Sequence, residues 1–160
     1  MLCFKELGMQ ASSLISLADL SPVEQKQRLM DAPESEYMNA EQLDFFRRDL
    51  VELHNTTRNR IRDAKQEMLS PPELSDSSDR ASWEEQCAIL MRIVDREQKL
   101  LPKIQLSLER IRLGEYGYCL ETGEPIGIAR LLARPTAEYC ADVKQCQELK
   151  EHVFQKVRYD

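Results

Sequence analysis

The sequence predicts a mainly α-helical protein. Its parts are a long antiparallel coiled-coil hairpin, a small zinc-finger-like globular region with degenerate ligands, and a C-terminal helix. Three observations carry this. Apolar residues recur at steps of three and four on both sides of SPPELSDSSD, which is the period of one helix face. Charged residues make up 31% of the chain, against only five glycines and seven prolines, a balance that suits long exposed helices. Between Gly117 and Cys140 the pattern then breaks into GYCLETGEPIGIARLLARPTAEYC, with turn residues and two widely spaced cysteines.

Residues 1–36 lack a long periodic pattern. SLISLADLSPVEQKQRL holds one or two short helices, expected to pack on the globular part, and Pro33 marks a loop. Met9, heading MQASSLISLA, is an alternative start to Met1. The hairpin is expected over 37–113. Asn39 is a fitting N-cap, Gln42 stands at the capping-box position, and Met38 with Leu43 can form a hydrophobic staple. Leu43, Phe46, Leu50, Leu53, Thr57, Ile61, Ala64 and Met68 then make the seam. Pro71 and Pro72 forbid continuation, so the tip falls near 70–81. Cys87, Leu90, Val94, Leu101, Ile104, Leu108 and Ile111 form the returning seam, interrupted by a polar Glu97/Gln98 layer. Pro102 should kink that helix without ending it, because the seam resumes in phase at Ile104. Gly114 is the stop. Two helices of roughly 30 residues joined by a short turn must pack antiparallel, each reaching about 45 Å. Residues 114–137 follow as short extended pieces with TGEP as a turn. A last helix is expected over about 138–157, within a C-terminal segment 138–160, with Val143, Leu149, Val153 and Val157 as its apolar contacts.

The net charge of −6 argues against a protein that coats nucleic acid and for one that meets a basic protein surface. No apolar run approaches the roughly 18 residues of a membrane span, and MLCFKELGMQASS is a poor signal peptide. Five scattered cysteines without an export signal suit a reducing cytoplasm, each as a small buried apolar residue. No nucleophile stands beside a base, no glycine loop could cradle phosphates, and no metal-ligand set is complete, so an enzyme is not expected.

Three groups of residues carry chemistry. At the tip, Asp76 and Asp79 complement the positive start of the second helix, with Asp76 as its N-cap; the wider cluster of Glu73, Asp76 and Asp79 could contact a magnesium ion or a partner's basic groups. Arg96, Lys99 and Lys103 share one helix face, either as a solvated surface or as a grip on phosphates. Cys119 is followed three places on by Thr122, and Cys140 by Val143. Two thiolates leave half a tetrahedral shell open. Cys146 lies a helical turn beyond Val143, and neither His54 nor His152 is placed to help. The globular part must then be held by packing, with Ile126, Ile128, Leu131, Leu132 and Tyr139 as its candidate core.

Several ungapped pieces, SSLISLA, EYMNAEQLDFFRRDL, DSSDRA, DREQKLLPKI, GYC, IGIARL and ARPTAEYC, stand in the order and spacing of a known family. From Ser12 to the last helix the chain resembles the DksA/TraR family of bacterial RNA polymerase secondary-channel factors. The resemblance implies a cytoplasmic, monomeric factor that inserts its hairpin into the polymerase secondary channel. Such factors destabilise promoter open complexes together with ppGpp in the stringent response, repress ribosomal RNA promoters and activate some amino-acid biosynthesis promoters. They bind no specific DNA sequence and no membrane. The family's tip residues fall on Asp76, Asp79 and Ala81, with Arg80 between the last two. Its ppGpp site, shared with the polymerase rim, falls on Arg96, Lys99, Leu100, Lys103 and Lys144, while Gln98 and Pro102 depart from the usual basic character. The four zinc-ligand positions fall on Cys119, Thr122, Cys140 and Val143, so the chain is similar to the cysteine-poor paralogues that act without zinc. The same alignment brings Cys119 near Cys140, as two buried thiols or as a reversible disulfide. Two other functions fit a hairpin of this shape: a secondary-channel factor that aids transcript cleavage with its tip carboxylates, and a coiled-coil adaptor with no regulatory chemistry.

Overall fold

The structure, a computed structural model, describes residues 17, 20–72 and 76–157. Cys3, Met9 and Glu73 lie outside the described residues, as do the side chains of His152, Val153 and Val157. The elements are α1 (Pro22–Met30), a 3-10 turn (Glu34–Glu36), α2 (Ala40–Leu69), α3 (Ser77–Leu113), α4 (Ile128–Ala133) and α5 (Ala141–Val157).

α1 begins at a capping box. The Glu24 N–H donates to Ser21 Oγ, and the Ser21 N–H donates to the Glu24 carboxylate at 3.0 Å. Its Leu29 enters the core. α2 begins at Asn39, whose Oδ1 accepts the Gln42 N–H at 2.8 Å. The Gln42 side chain does not close the box on Asn39. It reaches one residue further back and accepts the Met38 N–H at 2.7 Å, while the Asn39 N–H goes to Glu36 O. Met38 sits at φ 55, a conformation that this buried hydrogen bond helps to hold.

α2 and α3 pack side by side and antiparallel: Gln86 meets Glu67 near the turn, and Glu97 meets Arg60 further down. The two seams face each other as expected, with two differences. The polar layer consists of Glu97 and Thr57, both buried, while Gln98 is exposed. This layer separates two apolar cores. The outer one is Ile61, Ala64, Leu90 and Val94. The inner one includes Phe45, Phe46, Leu50 and Ile104 and continues into the globular head. α3 runs unbroken through Pro102, which lies on the exposed side and cannot donate to the Gln98 carbonyl. It ends at Gly114, at φ 77, whose N–H bonds Arg110 O and Ile111 O.

The head is assembled from Leu17, α1, the start of α2, the end of α3 and residues 115–143. Hydrogen bonds between distant segments tie it together. Tyr116 donates to Pro135 O at 2.8 Å. Tyr37 donates to Gly117 O at 2.6 Å and accepts the Gly127 N–H at 3.1 Å. The buried Arg110 guanidinium binds the carbonyls of Glu115 and Tyr118. Gly117, at φ 92, lies so close to Met38 that a Cβ there would stand 2.7 Å from Met38 Cγ.

Three expectations for this part need correction. IARLLA, expected among the extended pieces, forms the short helix α4, because Ile128, Leu131 and Leu132 all face the same core. The last helix starts at Ala141 and not at 138, since the carbonyls before it are turned to other partners, Glu138 O accepting the Leu120 N–H at 3.0 Å and Tyr139 O accepting Arg130 Nε at 3.1 Å. Leu149 is 62% exposed and is no core contact; among the described side chains of α5, Val143 packs on the head.

Candidate functional site: tip, cationic cleft and cysteine pair

At the tip, Asp76 is the N-cap of α3, and its Oδ1 accepts the Asp79 N–H at 2.8 Å. Its carboxylate therefore does the capping work that the sequence suggested. Asp79 stands in the first turn, where negative charge meets the helix dipole. Arg80 and Ala81 are exposed beside it. The tip thus places two exposed acidic residues and a small side chain at the start of α3.

The proposed ligand-binding cations do not all converge. Lys103 from α3 and Lys144 from α5 line one narrow cleft. Arg96 and Lys99 lie further along α3 toward the tip, about 10 Å and 6 Å of helix rise from Lys103. Lys99 pairs with Asp95 at 2.8 Å, and Leu100 is half-buried against the core. The cleft gains two residues that sequence reasoning missed, Arg130 and Arg134, from and just after α4. Arg130 Nε donates to Tyr139 O at 3.1 Å, which holds its guanidinium at the cleft. Four cations with Glu138 and Thr136 make a site suited to an anion with several phosphate oxygens and a hydrogen-bonding edge. The signal in the sequence is the i, i+4 arginine spacing of IARLLAR.

Cys119 is buried. Burial pushes its thiol up, but the Thr122 hydroxyl and the backbone N–H groups of Cys140, Thr122 and Glu121 outweigh it and bring it down to about 6. Cys119 and Cys140 are therefore neighbours, both as free thiols. Thr122 supplies a hydrogen bond where a second thiolate would be needed, and Val143 has no donor atom. Among the described residues no three His, Cys, Asp or Glu side chains converge as metal ligands. His54 lies on α2 and Cys146 is exposed on α5. The residues present do not fit a tetrahedral zinc ion.

Two family models match the chain. One is described as DnaK suppressor protein DksA, N-terminal domain, over residues 42–111; the other as prokaryotic dksA/traR C4-type zinc finger, over 114–152. The "RNA polymerase-binding transcription factor DksA" of Escherichia coli K12 is 37% identical over 140 residues, covering 87% of this chain and 89% of that protein. The protein of the same name in Caulobacter vibrioides is 38% identical over 144 residues, covering 89% and 95%. Among solved structures, the transcription factor DksA2 from Pseudomonas aeruginosa matches with a TM-score of 0.69 and 44% identity, covering 79% of this chain and 98% of that one. The second family's description names a C4-type finger, whereas residues 114–152 of this chain hold three cysteines, Cys119, Cys140 and Cys146.

Proposed function

The chain belongs to the DksA/TraR family, and from that premise we propose that it is an RNA polymerase-binding transcription factor that reaches into the polymerase secondary channel and tunes open-complex stability with ppGpp. The observation that carries this reading is the placement of its two charged ends. α3 begins at the carboxylate-bearing tip and contributes Lys103 to the four-cation cleft, with Asp79 and Lys103 about 36 Å apart along its rise. A factor whose tip works inside a channel while its root holds a ligand at the rim needs that geometry.

In this reading Lys103, Arg130, Arg134 and Lys144 grip the diphosphates of ppGpp, and Arg96, Lys99 and Leu100 meet the rim. Asp76 fixes the start of α3 so that Asp79 and Ala81 are presented in one orientation. The head folds without zinc, since the hydrogen bonds of Arg110, Tyr37, Tyr116 and Thr122 tie the segments that a metal would join. The protein acts as a monomer beside polymerase in the cytoplasm, is not an enzyme, and controls ribosomal RNA and amino-acid biosynthesis promoters in the stringent response. Transcript cleavage and a passive adaptor are the competing uses of the same shape.

Single-round transcription from a ribosomal RNA promoter with chelator-treated protein tests the reading. Inhibition that deepens with ppGpp is expected; no inhibition by a folded protein would discard it. Asp79→Asn separates the alternatives: it should bind polymerase with unchanged affinity and lose the promoter effect. Full activity of this variant would favour the adaptor, and stimulated cleavage in a stalled complex by the native chain would favour the cleavage factor.

A further inference from the structure

The hairpin has a second charged flank, on the side away from Arg96. On α2, Arg58, Arg62 and Lys65 follow at steps of four and three and border a groove of about 580 Å³. Its apolar lining is Ile61, Leu69 and Leu101, the last from α3. Arg60 belongs to the opposite flank, where it and Arg96 share the buried Glu97 carboxylate at 3.7 and 3.5 Å. The groove cations are thus not the ones that neutralise the core. Among the described residues Arg58 and Lys65 make no ion pair, while Arg62 holds its neighbour Asp63 at 3.2 Å. Leu69 is 83% exposed at the tip end of the groove. This concentration of positive charge beside exposed apolar surface runs against a chain whose net charge is −6.

We propose that this α2–α3 groove docks an acidic amphipathic helix of RNA polymerase, a contact surface apart from the tip, the cationic cleft and the Arg96–Leu100 face. The inference rests on the reading of the chain as a secondary-channel factor, for a hairpin inside a channel has both flanks against its walls. Two features choose a protein helix over nucleic acid. No aromatic side chain lines the groove, so it offers no stacking platform for bases. Its apolar residues, Ile61, Leu69 and Leu101, suit the buried stripe of an amphipathic helix laid between α2 and α3. The cations along one edge then select carboxylates flanking that stripe. Rim charges of this kind raise the association rate and set orientation.

The test places a photo-crosslinking amino acid at Gln66, which lines the groove, and separately at Ala81 on the tip, in complexes of the full chain with purified RNA polymerase and promoter DNA. Gln66 is expected to crosslink to a polymerase helix with acidic residues along one side. The double variant Arg58→Glu, Lys65→Glu should lose that crosslink and bind polymerase about tenfold more weakly, most of it in the association rate, while keeping native helicity by circular dichroism. If Ala81 crosslinks and Gln66 does not, the groove proposal fails and the secondary-channel reading stands. Crosslinks from Gln66 to DNA or RNA, or to a non-acidic segment, also overturn it, as does a charge reversal without effect. If the chain neither binds polymerase nor crosslinks from either position, the functional reading itself falls and takes this inference with it.

Discussion

Among the described residues, the arm beyond Thr57 buries four apolar side chains, Ile61, Ala64, Leu90 and Val94, whereas the head and the hairpin root together bury twelve, among them Phe46, Leu50, Tyr116 and Leu131. The head also has buried hydrogen bonds between segments far apart in sequence. The outer arm has the ladders of its two helices and few cross-links, such as Gln86 to Glu67 at 2.6 Å. Stability is therefore concentrated at one end and reach at the other. Free energy from burial grows with apolar area removed from water, so the arm should open locally at lower cost than the head unfolds.

Four measurements break or sharpen this contrast. The largest effect belongs to the head. Phe46→Ala removes a fully buried ring at the junction of α2 and Tyr116 and should cost about 3–5 kcal/mol, read as a lower urea midpoint for the whole helical signal. A loss confined to the arm would contradict the division. Next comes the pH dependence of the head. The Cys119 thiol is lowered from 9.0 to about 6, so folding favours its thiolate. That stabilisation is complete above the unfolded value of 9.0 and is lost as pH falls through about 6. The thermal midpoint should decline over that window in the native chain and much less in Cys119→Ser; parallel profiles would remove the thiolate from the account.

Leu90→Ala should cost about 2–3 kcal/mol, but within the arm. Hydrogen exchange is expected to speed up over residues 58–97 while amides of the head keep their protection. Equal acceleration in both would show that arm and head unfold as one unit. The smallest effect has the opposite sign. Glu97 is buried with Oε2 unpartnered, and so is Thr57 Oγ1, while Arg60 and Arg96 are mostly exposed. Glu97→Leu strands no buried cation and joins the two apolar cores, so stability should rise by about 1 kcal/mol, seen as a higher thermal midpoint. A marked fall would mean that the carboxylate and its arginines outweigh the burial cost.

The same contrast explains what the sequence could tell. In the hairpin, what local periodicity governs was legible: both seams, the Asn39 and Asp76 caps, the Gly114 stop, and the continuity of α3 past Pro102. These depend on residues within a turn or two of each other. The head was legible in composition but not in arrangement. Ile126 and Leu131 were correctly placed inside, yet α4 was missed, because a six-residue helix has too few turns to show a period. Arg130 and Arg134 were missed because their cleft is built from α3, α4 and α5 together, and no single stretch displays it. Gln42 was expected to bond Asn39 and bonds Met38, a choice set by the positive φ of Met38 and the packing around it.

That packing has a consequence for how the chain can vary. Gly117 and Met38 occupy complementary space: any side chain at 117 would have to displace Met38, and its backbone would still sit at φ 92. Met38 in turn stands beside the N-cap of α2, so a change that begins in the head is passed to the entry of the lever. A larger residue at 117 should survive selection only beside a smaller one at 38. The two positions form one unit of inheritance, and a comparison of many relatives should find them changing together or not at all.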